Sequence, residues 1–382
     1  MSKIKRNGTK PQVLSAREAV EYIADQDTVA VSGAGGGIVD PYALINALHE
    51  RYVETGCPKN LTLWHSTGLG DRNDRGMSPL ALEGLVKRVI GGHWGQSPRL
   101  AEMASENKIE AYNFPQGIMA QLARTAAAGQ PGILSHVGLG TFIDPRVSGG
   151  KLNEVTKEDL IKVMNVDGKE WLYYPVVPLD VCLIRATTAD TEGYASMEEE
   201  ITYIDVLQLA QAVHNNGGTV ILQVKRLVKA GTLHPKSVKI PGFLVDAIVV
   251  EEKQEQLYNG SDRFFSGDYI ADDSAVTMLP LDQRKVVARR ALMEVRPGYV
   301  GNVGVGIADG IGNVAREEGV QDAFTLTVET GPVGGATAQG IFFGATVNAR
   351  AVMDMPAQFD FYDAVVWMWH SCPLPNWMRT GM

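Results

Sequence analysis

The sequence predicts an α/β protein made of two related open domains, and three observations lead there. Helical and strand patterns alternate along the chain. Short β-branched runs stop at glycine-rich turns, and a unit of helix, strand, glycine loop and helix occurs twice at comparable spacing. A length of 382 residues suits two compact units, and 45% hydrophobic residues are enough to give each a core.

Ser15-Ala16-Arg17-Glu18 is a capping box and opens a helix that runs through Ile23. Thr28 to Val31 reads as a strand, broken by Gly33-Ala34-Gly35-Gly36-Gly37, and a helix follows from Pro41 to Tyr52. Val181 to Ile184, Thr219 to Leu222 and Ala247 to Val250 are short apolar runs of the kind that fill a buried sheet. The stretch from Glu251 to Leu279 is polar, acidic and turn-rich, with Asn259-Gly260 and Asp272-Asp273, and reads as the connection between domains. The pattern then repeats: helix Asp282 to Val295, strand Tyr299 to Val303, glycine turn Gly304-Val305-Gly306-Ile307, and a helix around Asn313 to Glu318. A site is expected between the two domains, because ligands favour strand C-terminal ends and domain interfaces.

The net charge of −9 argues against a nucleic-acid scaffold or an anionic membrane partner. The three cysteines, Cys57, Cys182 and Cys372, are far apart and form no CxxC, so neither a disulfide framework nor a zinc site is expected, and a reducing compartment fits. Met1 to Lys10 lacks the apolar core of a secretory signal, and no apolar run approaches the roughly 20 residues that span a bilayer. A cytoplasmic location is the expectation. His65, His93, His136, His214 and His234 are scattered and read as structural, and no metal is expected. The basic stretch Lys225 to Lys239 and the run Glu198-Glu199-Glu200 read as solvated surface.

Neither glycine loop completes a dinucleotide fingerprint: Ile38 and Asp309 stand at the third glycine position. Both loops do offer backbone N–H groups at a strand end, suited to a close ligand or a developing oxyanion. In Thr325-Leu326-Thr327-Val328-Glu329-Thr330-Gly331-Pro332-Val333-Gly334-Gly335 a β-branched strand ends on a carboxylate beside flexible backbone. An unperturbed glutamate is ionised at neutral pH and can attack an activated carbonyl without a general base. A solvated strand-end glutamate is the other reading. Tyr112-Asn113-Phe114-Pro115-Gln116-Gly117 is a turn with two side-chain amides, able to steady an oxyanion or to bond to itself.

Taken together these segments resemble family I coenzyme A transferases of the short-chain acyl-CoA:acetate type, from about Val13 to Asp363. The resemblance rests on Gly92-His93-Trp94-Gly95-Gln96-Ser97-Pro98, the Tyr112 to Gly117 turn, Gly140-Thr141-Phe142-Ile143-Asp144-Pro145-Arg146 and Gly149-Gly150-Lys151-Leu152-Asn153. Glu329 to Gly335 and Gln358-Phe359-Asp360-Phe361-Tyr362-Asp363 complete it. It implies two related open α/β domains: an α-type domain over 1–255, a linker over 256–279 and a β-type domain over 280–363 that carries the nucleophile. It further implies that Glu329 forms a glutamyl-CoA thioester in ping-pong transfer, with coenzyme A as substrate and covalent intermediate and no permanent cofactor. Gln116 would help hold the oxyanion, and Gly304, Val305, Gly306, Gly334 and Gly335 would contact the coenzyme. Gly33, Gly35, Gly36, Gly37 and Asn113 would line the substrate pocket. The implied partners are acyl-CoA, short-chain carboxylates and further copies of the chain.

The residues from 364 to 382 depart from the family, reading Ala364-Val365-Val366-Trp367-Met368-Trp369 where members continue with a Gly-Gly-Gly-Leu-Asp loop. One base restored after the Asp363 codon lets suitable codons read Gly-Gly-Gly-Leu-Asp-Val-Ala-Phe, so a frameshift and an incomplete second domain are expected. The alternatives are a truncated, non-catalytic remnant that binds CoA or a partner subunit, and a nucleotide-cofactor oxidoreductase.

Overall fold

The computed structural model describes residues 10–272, 278–364 and 369–371. The first domain is built on a sheet whose parallel strands, in chain order, are β1 (Gln12–Leu14), β2 (Thr28–Val31), β3 (Leu61–His65), β4 (Val86–Gly91), β5 (Glu110–Asn113), β6 (Val181–Asp190), β7 (Thr219–Val228) and β8 (Ala247–Val250), with two short antiparallel strands, 195–196 and 238–240, beside β6. Their spatial order is β1-β8-β7-β6-β2-β3-β4-β5. The chain therefore builds outward from β2 to β5, returns to the other side of β2, and builds outward again, which puts a topological switch point between β2 and β6.

Both faces of this sheet are covered. Val29 and Val31 of β2 pack with Leu44 and Leu48 of α2 (Tyr42–Thr55) and with α1 (Ala16–Val20) and α3 (Pro98–Ser105). Ala30, between them, points to the opposite core with Ile118 and Leu122 of α4 (Gln116–Ala127) and Leu209 and Val213 of α5 (Val206–Asn215). The same alternation splits Val181 and Leu183 from Cys182 and Ile184 on β6, as the two-residue period of a strand demands. The capping box at Ser15 is present, but α1 ends at Val20 and the helix stops three residues before Ile23.

The second domain repeats the order helix, strand, loop, helix as α6 (Gln283–Leu292), β9 (Val300–Val303), the loop after Val303, and α7 (Ile311–Glu317). Its sheet continues with β10 (Thr325–Thr327), β11 (Pro332–Val333), β12 (Ala351–Val352) and β13 (Trp369–Ser371), in the order β12-β11-β10-β9-β13. β9 pairs in parallel with both β10 and β13. Of the tail that departs from the family pattern, 365–368 and 372–382 lie outside the described residues, as do 1–9 of the N-terminal segment and 273–277 of the connection.

The connection packs on the first domain: Gln254, Gln256 and Leu257 are buried, and the Tyr258 hydroxyl donates to Asp40 Oδ2 at 2.6 Å. One expectation changes, because Glu198-Glu199-Glu200 is not a solvated face. Glu200 and Arg185 are a buried bidentate pair (3.0 and 2.8 Å), and Glu199 accepts from Lys225 and Arg226. Spacing alone could not show this, because the partners come from β6 and β7.

The final helix, α8 (Met355–Ala364), joins the domains by lying on α4. Gln121 Nε2 donates to Asp360 at 3.1 Å and to Asp363 at 3.0 Å, and Arg124 pairs with Asp360. Gly117 makes the approach possible: a Cβ there would lie 2.3 Å from Cδ1 of Phe359.

Candidate active site

The C-terminal ends of both sheets face one cavity of about 50 Å³. Ala34 and Gly35 follow β2, Thr67 and Gly68 follow β3, His93 and Gln96 follow β4, and Gln116 opens α4 after β5. From the second domain come Val305 after β9 and Glu329 with Thr330 after β10, and Phe343 completes the wall. Ten of these eleven residues thus come from the segments directly following six strands, where an open α/β sheet presents its ligands.

The loops after β2 and β3 are tied to each other. Gly35 N–H donates to the Gly68 carbonyl at 2.7 Å, Gly70 N–H donates back to Gly35 at 2.9 Å, and the Thr67 hydroxyl donates to the Gly33 carbonyl. The same loop touches the second domain, where Gly36 N–H donates to the Ile341 carbonyl at 2.7 Å. A Cβ at Gly35 would lie 2.9 Å from the Phe343 carbonyl oxygen, so the contact needs glycine.

Glu329 stands two residues past the end of β10, in a turn closed by Gly331 N–H donating to Val328 O at 2.9 Å. Gly331 has φ +131°, and a Cβ there would meet the Met353 carbonyl at 2.4 Å. Thr330 is held from both sides: its carbonyl accepts from the Thr202 hydroxyl of the first domain, and its hydroxyl donates to Gly344 O at 3.0 Å. Behind the turn, the Tyr362 hydroxyl donates to Thr327 Oγ1 at 2.7 Å and accepts from Gln358 Nε2 at 2.5 Å. The backbone that presents Glu329 is therefore fixed by groups from both domains.

The carboxylate itself is poorly solvated. Glu329 Oε2 is buried with no hydrogen-bond partner among the described residues, and this loss of hydration pushes its pKa up to about 7. The expectation of a fully ionised glutamate at neutral pH is corrected accordingly: near pH 7 the group is divided between acid and carboxylate. A buried carboxylate in a cleft, short of partners and with a raised pKa, is the pattern of a reacting group and not of a solvated strand end.

Gln116 is the first residue of α4 and not part of a free turn, since Pro115 caps the helix. Among the described residues its side chain donates from Nε2 to Met355 Sδ at 3.6 Å, a weak acceptor, and it stands at the positive end of the α4 dipole. His93, read from sequence as structural, lines the cavity, and burial together with Arg72 lowers its pKa, so the ring is neutral. His65 is a core histidine: its Nδ1 lies 2.6 Å from Thr67 O, and burial holds its pKa down to about 4. Gln96 is 6% exposed, and its Oε1 has no partner among the described residues. Both His93 and Gln96 belong to the Gly92 to Pro98 motif, which is the signal in the sequence that could have placed them in the site.

Several expected site residues lie elsewhere. Gly33 packs on Leu69, Gly36 serves the domain contact, and Gly37 borders a different cavity. Asn113 ends β5 with its N–H on Gly150 O at 2.8 Å. Gly304 and Gly306 flank Val305 without lining the cavity. Gly334 and Gly335 shape the turn after β11 and line a separate pocket with Arg316 and Arg350. Among the described residues no group of three or more His, Cys, Asp or Glu is placed to hold a metal, and no helix is long and apolar enough to cross a membrane.

The molecule is of the α/β class, with two sheets whose C-terminal ends close on an under-solvated carboxylate. Residues 13–251 match the family model described as Coenzyme A transferase. Acetate CoA-transferase YdiF of Escherichia coli K12 is 63% identical over 358 residues, 93% of this chain and 67% of that protein. A match of that length necessarily spans position 329. Caffeate CoA-transferase of Acetobacterium woodii is 40% identical over 92% of this chain and 67% of its own length. Among solved structures, YdiF of Escherichia coli O157:H7 as a thioester complex with CoA superposes with a TM-score of 0.90 at 59% identity, covering 95% of this chain and 72% of that one. The chain belongs to the coenzyme A transferase family, and it is an enzyme of that class.

Proposed function

We propose that the protein moves coenzyme A from a short-chain acyl-CoA to acetate or a similar carboxylate, with Glu329 as covalent carrier. The observation that carries this reading is the under-solvated Glu329 carboxylate at the junction of the two sheets. Desolvation makes a carboxylate a stronger nucleophile once it is ionised, and the cavity has room for a thioester carbonyl and its neighbouring atoms. A Glu329 oxygen attacks the acyl carbonyl, the C–S bond breaks, and an acyl-glutamyl anhydride and CoA thiolate result. The thiolate then attacks the glutamyl carbonyl and expels the acyl group as its carboxylate, leaving a glutamyl-CoA thioester. An acceptor carboxylate runs the same two steps in reverse and leaves as the new acyl-CoA. Each tetrahedral intermediate carries an oxyanion, for which we assign the Gln116 amide as donor. Removing such a donor typically costs about 3 kcal/mol of transition-state stabilisation.

The substrate assignment draws on the acetate CoA-transferase name of the 63% identical relative. The loop Gly304 to Gly306 and the pair Gly334 and Gly335 remain proposed coenzyme contacts, the first because Val305 reaches the cavity. A reducing, cytoplasmic setting suits the free thiols Cys57 and Cys182. The mechanism requires parallel double-reciprocal lines when acetyl-CoA and propionate are varied against each other. Intersecting lines would mean that both substrates bind before any transfer and would overturn the covalent route.

A further inference from the structure

The amide of Gln116 lines the Glu329 cavity and has a sulfur for a partner. Its Nε2 donates to Met355 Sδ at 3.6 Å, and Met355 has no exposed surface. A thioether is a weak acceptor, so the contact orients the amide without holding it strongly.

Met355 is itself anchored through its backbone. It opens α8, and its N–H, which no carbonyl of its own helix can reach, donates to Ile204 O at 2.9 Å. Ile204 is buried with φ +46°, a conformation that a β-branched residue keeps only where its surroundings impose it. Two residues earlier, the Thr202 hydroxyl donates to the carbonyl of Thr330, the neighbour of Glu329. One strained segment of the first domain thus registers both the turn that carries Glu329 and the sulfur that meets Gln116. Further along α8, Phe359 sits against Gly117, and Asp360 and Asp363 accept from Gln121, so the helix cannot slide along α4 without breaking these contacts.

We propose that Met355 is a positioning residue of the transfer reaction: its sulfur holds the Gln116 amide at the cavity wall and yields it to the oxyanion as the tetrahedral intermediate forms. That role depends on Glu329 as nucleophile and Gln116 as donor, as proposed above. An anionic oxygen is a far stronger acceptor than a thioether. The exchange therefore favours the transition state over the ground state, and only such a difference accelerates a step. A carbonyl oxygen in place of the sulfur would bind the amide firmly before attack and shrink that difference. An alkyl chain would leave the amide unheld and free to turn.

Single-turnover formation of the covalent CoA adduct from acetyl-CoA, followed by intact mass, tests this in Met355→Gln and Met355→Leu, each also combined with Gln116→Ala. Met355→Gln should lower the maximal rate about tenfold or more and Met355→Leu roughly threefold, with the half-saturating acetyl-CoA concentration unchanged within about twofold. In the Gln116→Ala background neither change should lower the rate further, because a residue that acts through Gln116 has nothing left to position. Met355→Leu conserves volume and apolarity, so it keeps the test valid should Met355→Gln fold poorly. The proposal is overturned if every variant that folds forms adduct at the parent rate, or if only the half-saturating concentration changes. It is also overturned if the losses persist undiminished with Gln116→Ala, as damage to packing alone would give. A parent protein that forms no adduct would refute the reading of Glu329, and this role for Met355 with it.

Discussion

At the scale of single residues, the account turns on what burial does to Glu329. Its nucleophilic form is the carboxylate, so activity should be lost as pH falls through about 7, the value to which desolvation lifts the group. Single-turnover formation of the CoA adduct should rise with pH to a plateau with its midpoint near 7. A rate unchanged from pH 5.5 to 8.5 would contradict this. Glu329→Gln keeps the shape, removes the nucleophile, and should lower turnover by on the order of 10⁴-fold or more. The same burial has a stability signature. With a folded pKa above the unfolded one, the native state binds the extra proton, so the native contribution of this group is intact below about pH 4.5 and is lost as pH rises through about 7. Glu329→Gln should therefore be more stable than the parent at pH 8, by roughly 1–3 kcal/mol, and the difference should vanish below about pH 4 in urea unfolding. The position of Glu329 after a strand and before a glycine turn was legible in the sequence. Its protonation was not, because desolvation depends on Val305 and on the facing loops of the first domain, which are distant in the chain.

At the scale of elements, strands and their glycine turns were read well where the pattern is local. Thr28 to Val31 and Ala247 to Val250 are strands with those limits, because β-branched runs bounded by turn residues specify a buried parallel strand. The runs at Val181 and Thr219 came out too short. Both strands reach ten residues, since Arg185 and Gln223 are held by partners brought in from other segments and so stay within the sheet. Those partners make Glu200 a sensitive position. Glu200→Ala would leave the buried Arg185 guanidinium uncompensated and should destabilise the first domain by about 3–5 kcal/mol, read as a fall in the urea midpoint. The α4–α8 contact gives a second check. Gly117→Ala puts a methyl group into the Phe359 ring and should cost roughly 1–3 kcal/mol, while also loosening Gln116 at the start of the same helix. A variant as stable and as active as the parent would mean that α8 does not seat on α4.

At the scale of the whole molecule, the two sheets act as one device. The first domain supplies Gln116, Gln96, His93 and the glycine loop, the second supplies Glu329, and neither alone builds the cavity. The repeated unit of helix, strand, glycine loop and helix announced this arrangement, and the resemblance to coenzyme A transferases supplied the chemistry that periodicity alone could not. What stayed hidden was which glycines reach the cavity. Every glycine in the two loops looks equivalent in sequence, whereas Gly35 alone among Gly33, Gly35, Gly36 and Gly37 is on the wall, and its neighbours serve packing and the domain contact. The central claim is that Glu329 carries coenzyme A between substrates, and intact mass after incubation with acetyl-CoA tests it most directly. The account predicts an increment of one CoA less water on the folded protein, absent from Glu329→Ala. No increment on folded protein, or one that persists in Glu329→Ala, would contradict it.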